Sequence, residues 1–194
     1  MADLPTEPPT ALTLDESARR YGAYAWAERR LFELTGAWAA SEPTPAVRIH
    51  LDVVSGQHAW HAGLWWDRLP ALASVEPEAL VRPWGPVLPP AFDALAASSD
   101  TVERLAGLYR FVVPRLLVTY GDHLRRTAPV ADAPAIRALR LVRRDETEEW
   151  EVGEGLLQSV LARTDDGLER AMSALFRLET AAPGEGLLAW PDGS

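Results

Sequence analysis

Two short stretches carry side chains able to do chemistry together. In HAWH, His58 and His61 sit three residues apart, and in ETEE, Glu146 and Glu149 repeat that spacing. Residues three apart on a helix share a face, so each pair can aim at one point. Imidazole and carboxylate at one point suit either a divalent metal ion or a buried ion-pair network. A further carboxylate, Glu28, and a further imidazole, His123, lie on segments whose pattern also turns them inward. Nitrogen and oxygen donors without sulfur suit iron, manganese or zinc. Glu28, His58, His61 and Glu149 are the expected ligands, with Glu146 and His123 beside them. A carboxylate buried alone is costly, so each of these demands a cationic partner. The competing partner is arginine, which suits buried carboxylates well: Arg110, Arg115, Arg140 and Arg144 are the candidates.

Helices must hold these residues in place. Thr13 and Glu16 form a capping-box pattern, opening a first helix that reaches about Ala40. Its inward stripe is Tyr21, Ala25, Glu28, Phe32, Thr35 and Trp38 or Ala39. Pro45, after Thr44, starts a second helix that Pro70 stops at Leu69. Val47, His50, Val54, His58, His61 and Trp65 share its broad inner face, with His50 near the start and outside the ligand set. Residues 70–99 are too rich in proline for one helix and read as a long connection with a short helical piece near Ala91–Ala97. Ser99 or Asp100 caps a third helix to Arg126, kinked by Pro114. It turns Leu105, Leu108, Val112, Leu116, Thr119 and His123 inward. A fourth helix covers Ala133–Ala162, where Leu139 and Val142 lead into Asp145, Glu146 and Glu149. A fifth runs from Asp165 or Asp166 to Glu179. The expected division is a disordered leader over 1–12, a bundle over 13–180 and a flexible tail over 181–194.

Composition narrows the functions. There is no cysteine, hence no disulfide, thiolate ligand or cysteine nucleophile. All 19 basic residues are arginine, which removes Schiff-base lysine chemistry. A net charge of −9 argues against nucleic acid, whose phosphates need a positive face. No apolar run approaches a membrane span, and the acidic, Pro-rich start is unlike a signal peptide, so a cytoplasmic location is expected.

Over about residues 14 to 163 the chain resembles the ferritin-like superfamily, whose catalytic members set one Glu on each of two helices and an E-x-x-H pair on each of the other two. Glu28 matches the lone Glu of the first helix. His61 matches the histidine of one pair, with His58 where the pattern has glutamate; Glu146 matches the glutamate of the other, with Glu149 where it has histidine. On the third helix, Tyr109 or His123 lies nearest the remaining position. The stretches AWHA, RLP and RALRL are also similar to ones shared within a family of actinobacterial bundle proteins. The resemblance implies an all-α, ferritin-like four-helix bundle with a long crossover between helices 2 and 3 and a short C-terminal fifth helix. It implies iron or manganese, with zinc as the alternative, or no metal if the ligand set has degenerated. Iron with open positions points to oxygen-dependent oxidation of a small molecule, and a single zinc to activation of water. The alternative from another class is a metal-free bundle acting as a scaffold or interaction partner. The expected partners are a second copy, through a Trp-bearing helix face, and a protein docking at Leu187, Leu188 and Trp190 of the tail.

Overall fold

The computed structural model describes residues 11–71 and 75–183, and these are all-α apart from one isolated bridge residue, Val75. The expected leader residues 1–10 and the tail residues Leu187, Leu188 and Trp190 lie outside the described residues.

α1 (Leu14–Ser41) opens on the predicted capping box: Thr13 Oγ1 accepts from the Glu16 N–H, and Glu16 accepts from the Thr13 N–H at 2.7 Å. α2 (Pro45–Trp66) starts where expected but ends three residues before Leu69. There the Arg68 and Leu69 amides bond to the Trp65 and Trp66 carbonyls in a tightened turn, because Pro70 pushes the residue before it out of helical conformation. The connection carries α3 (Pro77–Leu80) and α4 (Leu88–Ala96).

The third long helix is compound. α5 (Thr101–Gly107) is capped by Asp100, which accepts from the Glu103 N–H. A π-helical turn (Leu108–Val112) follows, then α6 (Val113–Arg125). Pro114 has no N–H, and its ring would crowd the carbonyl of Arg110; the wider turn just before it accommodates both. α7 (Ala133–Leu161) buries Ala135, Ala138, Leu139, Val142, Glu146, Glu149, Gly153 and Leu157. That is one helical stripe, with two carboxylates at positions otherwise held by apolar residues. α8 (Gly167–Ala181) packs on α4 and α5, two residues longer than expected.

Pairwise contacts give the directions. Ser55 bonds the Phe32 carbonyl, His58 meets Glu28 and Trp65 stacks on Tyr21, so α1 and α2 are antiparallel. His50 meets Tyr109 and Trp65 stacks on Tyr120, so α2 runs parallel to the compound helix. Asp145 faces His61 while Glu149 faces His58, so α7 runs antiparallel to α2. Parallel neighbours need a connection that returns the chain along the bundle, and residues 67–100 make that return.

Two glycines allow close approaches that shape the interior. A Cβ on Gly153 would lie 2.2 Å from the Tyr109 ring, which lies flat against α7 there. A Cβ on Gly22 would lie 2.0 Å from the Leu80 carbonyl oxygen, so only glycine lets α3 seat on α1. One inward expectation is corrected. Phe32 is 44 % exposed: its backbone carries the bond from Ser55, while its ring lies over a surface groove beside Arg29 and Trp66. The three tryptophans of α2 lie in different surroundings. Trp65 is fully buried, Trp60 is half exposed, and Trp66 lies under the Arg29 guanidinium.

Candidate metal centre

Glu28, His58, His61 and Glu146 each place a ligand-type atom within 4.8 Å of the others, and all four are fully buried. α1 supplies the first, α2 the two histidines and α7 the last, each from the core stripe of its helix. His58 Nδ1 is 2.7 Å from Glu28 Oε2 and 3.5 Å from Glu146 Oε1. His61 Nδ1 is 3.2 Å from Glu146 Oε1 and 3.7 Å from Glu28 Oε2. Glu149 stands on the far side of His58, with Oε2 3.5 Å from Nε2, and is 4 % exposed.

The surroundings orient this group. The Tyr120 hydroxyl donates to Glu28 Oε1, leaving Oε2 for the histidines. Asp145 Oδ2 lies 3.4 Å from His61 Nε2, so the other ring nitrogen, Nδ1, faces the cluster. His50 Nε2 is 2.6 Å from the Tyr109 hydroxyl, next to Glu149. Four buried polar atoms of the group have no hydrogen-bond partner: His58 Nε2, Glu146 Oε2 and both oxygens of Glu149. Buried polar atoms are nearly always paired, and two of these four, His58 Nε2 and Glu149 Oε2, lie 3.5 Å from each other.

Charge is shared unequally. Burial disfavours charge on every member, yet the surrounding carboxylates hold His61 up at about 10 and His58 well above its ordinary value. Burial also raises Glu28, but hydrogen bonds from both histidines outweigh it and hold the carboxyl well below the usual range. Glu146 goes the other way, pushed up by burial and then by Glu28 and Glu149. Without metal the group is therefore a proton-holding network of imidazolium and carboxylate.

Of the six residues expected from sequence, Glu28, His58, His61 and Glu146 converge; Glu149, expected among the principal ligands, stands behind His58, and Glu146 takes its place. The sixth, His123, does not come near. It lies toward the end of the bundle, with Nδ1 3.0 Å from the Tyr24 hydroxyl and its ring against Tyr21. The reason is register: on α6 it is Tyr120, almost one turn earlier, that reaches Glu28. The arginine expectation is also corrected. Arg110 pairs with Glu154, Arg115 with Glu179, and Arg144 with Asp145 and Glu148 from outside. Arg140 lines a surface groove near the start of α7. Tyr120 and the orienting role of Asp145 were missed. Tyr120 falls between Leu116 and His123 on the predicted stripe, and Asp145 was already on the inner face of the fourth helix.

A groove of about 180 Å³ opens beside the group, between α2 and α7. His50, Val53, Val54 and Gln57 line it from one side; Asp145, Glu148, Glu149 and Val152 from the other. No described helix is long and apolar enough to cross a membrane. Comparison of the chain with family models, with curated proteins and with solved structures returns no match.

Proposed function

We propose that the chain is a ferritin-like metal-binding bundle that uses iron or manganese to oxidise a small molecule. The observation that carries the metal is the convergence of Glu28, His58, His61 and Glu146 on one buried point beside four unpaired polar atoms. Packing gives no reason to gather them. The donor set, two imidazoles and two or three carboxylates without sulfur, fits iron and manganese and also accommodates zinc. Support for the ferritin-like reading is the parallel α2 and compound helix, joined by a long return, with ligand-type residues at one height.

The chain's own residues prepare the site in two ways. Asp145 holds His61 from behind, the carboxylate–histidine arrangement that fixes the tautomer of metal-binding imidazoles. Tyr120 fixes the Glu28 carboxylate and keeps one of its oxygens occupied. A redox metal bound here supplies electron exchange with dioxygen, while the buried walls limit water at the reacting point.

The test is elemental analysis of protein purified without a histidine tag, alongside His61→Ala and His123→Ala. Stoichiometric iron or manganese that is lost in His61→Ala and retained in His123→Ala is the expected result. Folded wild-type protein that takes up no iron, manganese or zinc overturns the proposal. A specific observation then favours the second reading, a metal-free scaffold: His58 with Glu28 and His61 with Glu146 already form close pairs that balance charge without metal.

A further inference from the structure

Opposite its buried stripe, α7 carries a second one along its outer face: Arg137, Arg140, Arg144, Glu148, Glu151 and Gly155, spaced three or four apart and all exposed. Its charges are sorted by sign, arginine in the first half and glutamate in the second. Arg137, Arg140 and Glu151 make no ion pair or side-chain hydrogen bond among the described residues. Arg144 and Glu148 approach to 3.7 Å, on side chains 67 % and 70 % exposed. An anionic partner laid along this face would be repelled by its second half, and a cationic one by its first. A partner with the reverse order of charges is attracted along the whole length, and a second copy turned end for end has that order. The positions match as well. In the antiparallel order Arg144 falls opposite Glu148 of the second copy, Arg140 opposite Glu151, and Arg137 opposite Gly155. Gly155 has open space where a Cβ would lie, which leaves room for the long Arg137 side chain. Over the first half of the face, a groove of about 660 Å³ with Ile136 and Leu141 in its wall gives a second helix a place to lie.

We propose that two copies of this chain associate through the outer face of α7, antiparallel about a two-fold axis that passes between Arg144 and Glu148. Symmetry makes each match twice, Arg140 with Glu151 and Arg144 with Glu148 across the two copies. Exposed ion pairs contribute little one by one, and a single helix-on-helix contact is small, so the dimer is weak and sensitive to salt. The face uses none of Glu28, His58, His61 and Glu146, so the assignment does not depend on the metal reading.

The test is sedimentation equilibrium of the full-length protein over a wide concentration range, at low salt and at about 1 M salt, where charges are screened beyond about 3 Å. The wild type should dimerise at low salt, with affinity falling at least about tenfold in high salt. Arg140→Glu and Glu151→Arg each set like charges opposite one another and should each weaken the dimer at least about tenfold. Combining the two restores opposite charges in reversed order and should return affinity to within about threefold of wild type. Both positions are exposed, so circular dichroism should match wild type in every variant. Because the chain has no cysteine, register can be read separately by oxidation. A mixture of Arg137→Cys and Gly155→Cys should form a disulfide between the two variants. Neither should cross-link with itself, since like positions lie about 27 Å apart along the paired helices. Monomer at every concentration, a double variant as weak as the single ones, or a mixture that does not cross-link overturns the assignment. So does a dimer that both charge variants leave intact, which would lie on another face, such as that of the half-exposed Trp60.

Discussion

Two regions of this bundle bury histidine, and they treat it in opposite ways. At mid-height His58 and His61 sit among Glu28, Glu146 and Glu149, and carboxylates hold both rings well above their ordinary protonation range. Toward the end of the bundle His123 packs with Tyr21 and Tyr24, and burial, reinforced by Arg20, pushes it down to about 3. Burial is nearly complete in both places, so it is not what separates them. The partner separates them: a carboxylate draws a proton onto imidazole, whereas a tyrosine hydroxyl beside an arginine keeps it neutral. The two regions also differ in how polar atoms are paired. Arg20 pairs with Asp122 and His123 has Tyr24, with Trp65 Nε1 left unpaired among the aromatic rings, while four polar atoms of the mid-height group have no hydrogen-bond partner. The side chains of the mid-height group could hold a metal ion.

The strongest way to break this contrast is Glu28→Ala in metal-free protein. It removes the acceptor of His58, His61 and Tyr120 together and should cost about 3–5 kcal/mol in urea unfolding, the range for breaking a buried pair. A loss below about 1 kcal/mol would mean that the group is not paired as described.

Next is pH, where the two histidines have opposite signs. His61 is raised from 6.5 to about 10, so its contribution is full below pH 6.5 and is lost as pH rises through about 10. His123 is lowered from 6.5 to about 3, so its contribution is full above pH 6.5 and is lost as pH falls through about 3. Glu146, raised by burial, loses stability as pH rises past its ordinary range, so each effect is read as a difference from wild type. Against metal-free wild type, His61→Gln should flatten the alkaline limb and His123→Phe the acid limb, each on the order of a few kcal/mol. Flattening of the same limb by both variants would erase the distinction.

A smaller effect is expected at Tyr24. Tyr24→Phe leaves His123 Nδ1 without its partner and should cost about 1–3 kcal/mol in thermal or urea unfolding. It should not change metal content, because its hydroxyl bonds His123, which is not one of the four converging residues. Loss of metal in this variant would show that the two regions are not independent.

Smallest is Tyr120→Phe, which acts on the residue joining the regions. Its ring packs edge-on to Tyr24 and stacks on Trp65, while its hydroxyl serves Glu28. The ring stays in Phe, so stability should fall by about 1 kcal/mol. The sharper readout is metal affinity, expected to drop about 10- to 100-fold as for other orienting partners of ligands. Unchanged affinity would mean that Glu28 needs no fixing.

Most of the helices were legible because their signals are local. The Thr13–Glu16 box, Pro45 after Thr44, Asp100 before α5 and the stop at Pro70 act within a few residues of backbone. The i, i+3 pairs on α2 and α7 were legible for the same reason: spacing along one helix fixes which side chains share a face. The π turn ahead of Pro114 was foreseen only as a kink, since the form that relieves a proline depends on what packs around it.

The sequence alone thus determined an all-helical chain, its main boundaries, and the inward placement of Glu28, His58, His61, Glu146 and Glu149. What it could not determine was height between helices, because a helix face repeats every turn and only packing sets which turn meets which. That is why His123 was expected at the centre and Tyr120 was not. Tertiary structure alone decided that Tyr120 meets Glu28, that Asp145 faces His61, and that Arg110, Arg115 and Arg144 pair with carboxylates outside the four converging residues. It also decided that Glu149 stands 3.5 Å from His58, a relation that exists only once α2 and α7 lie side by side.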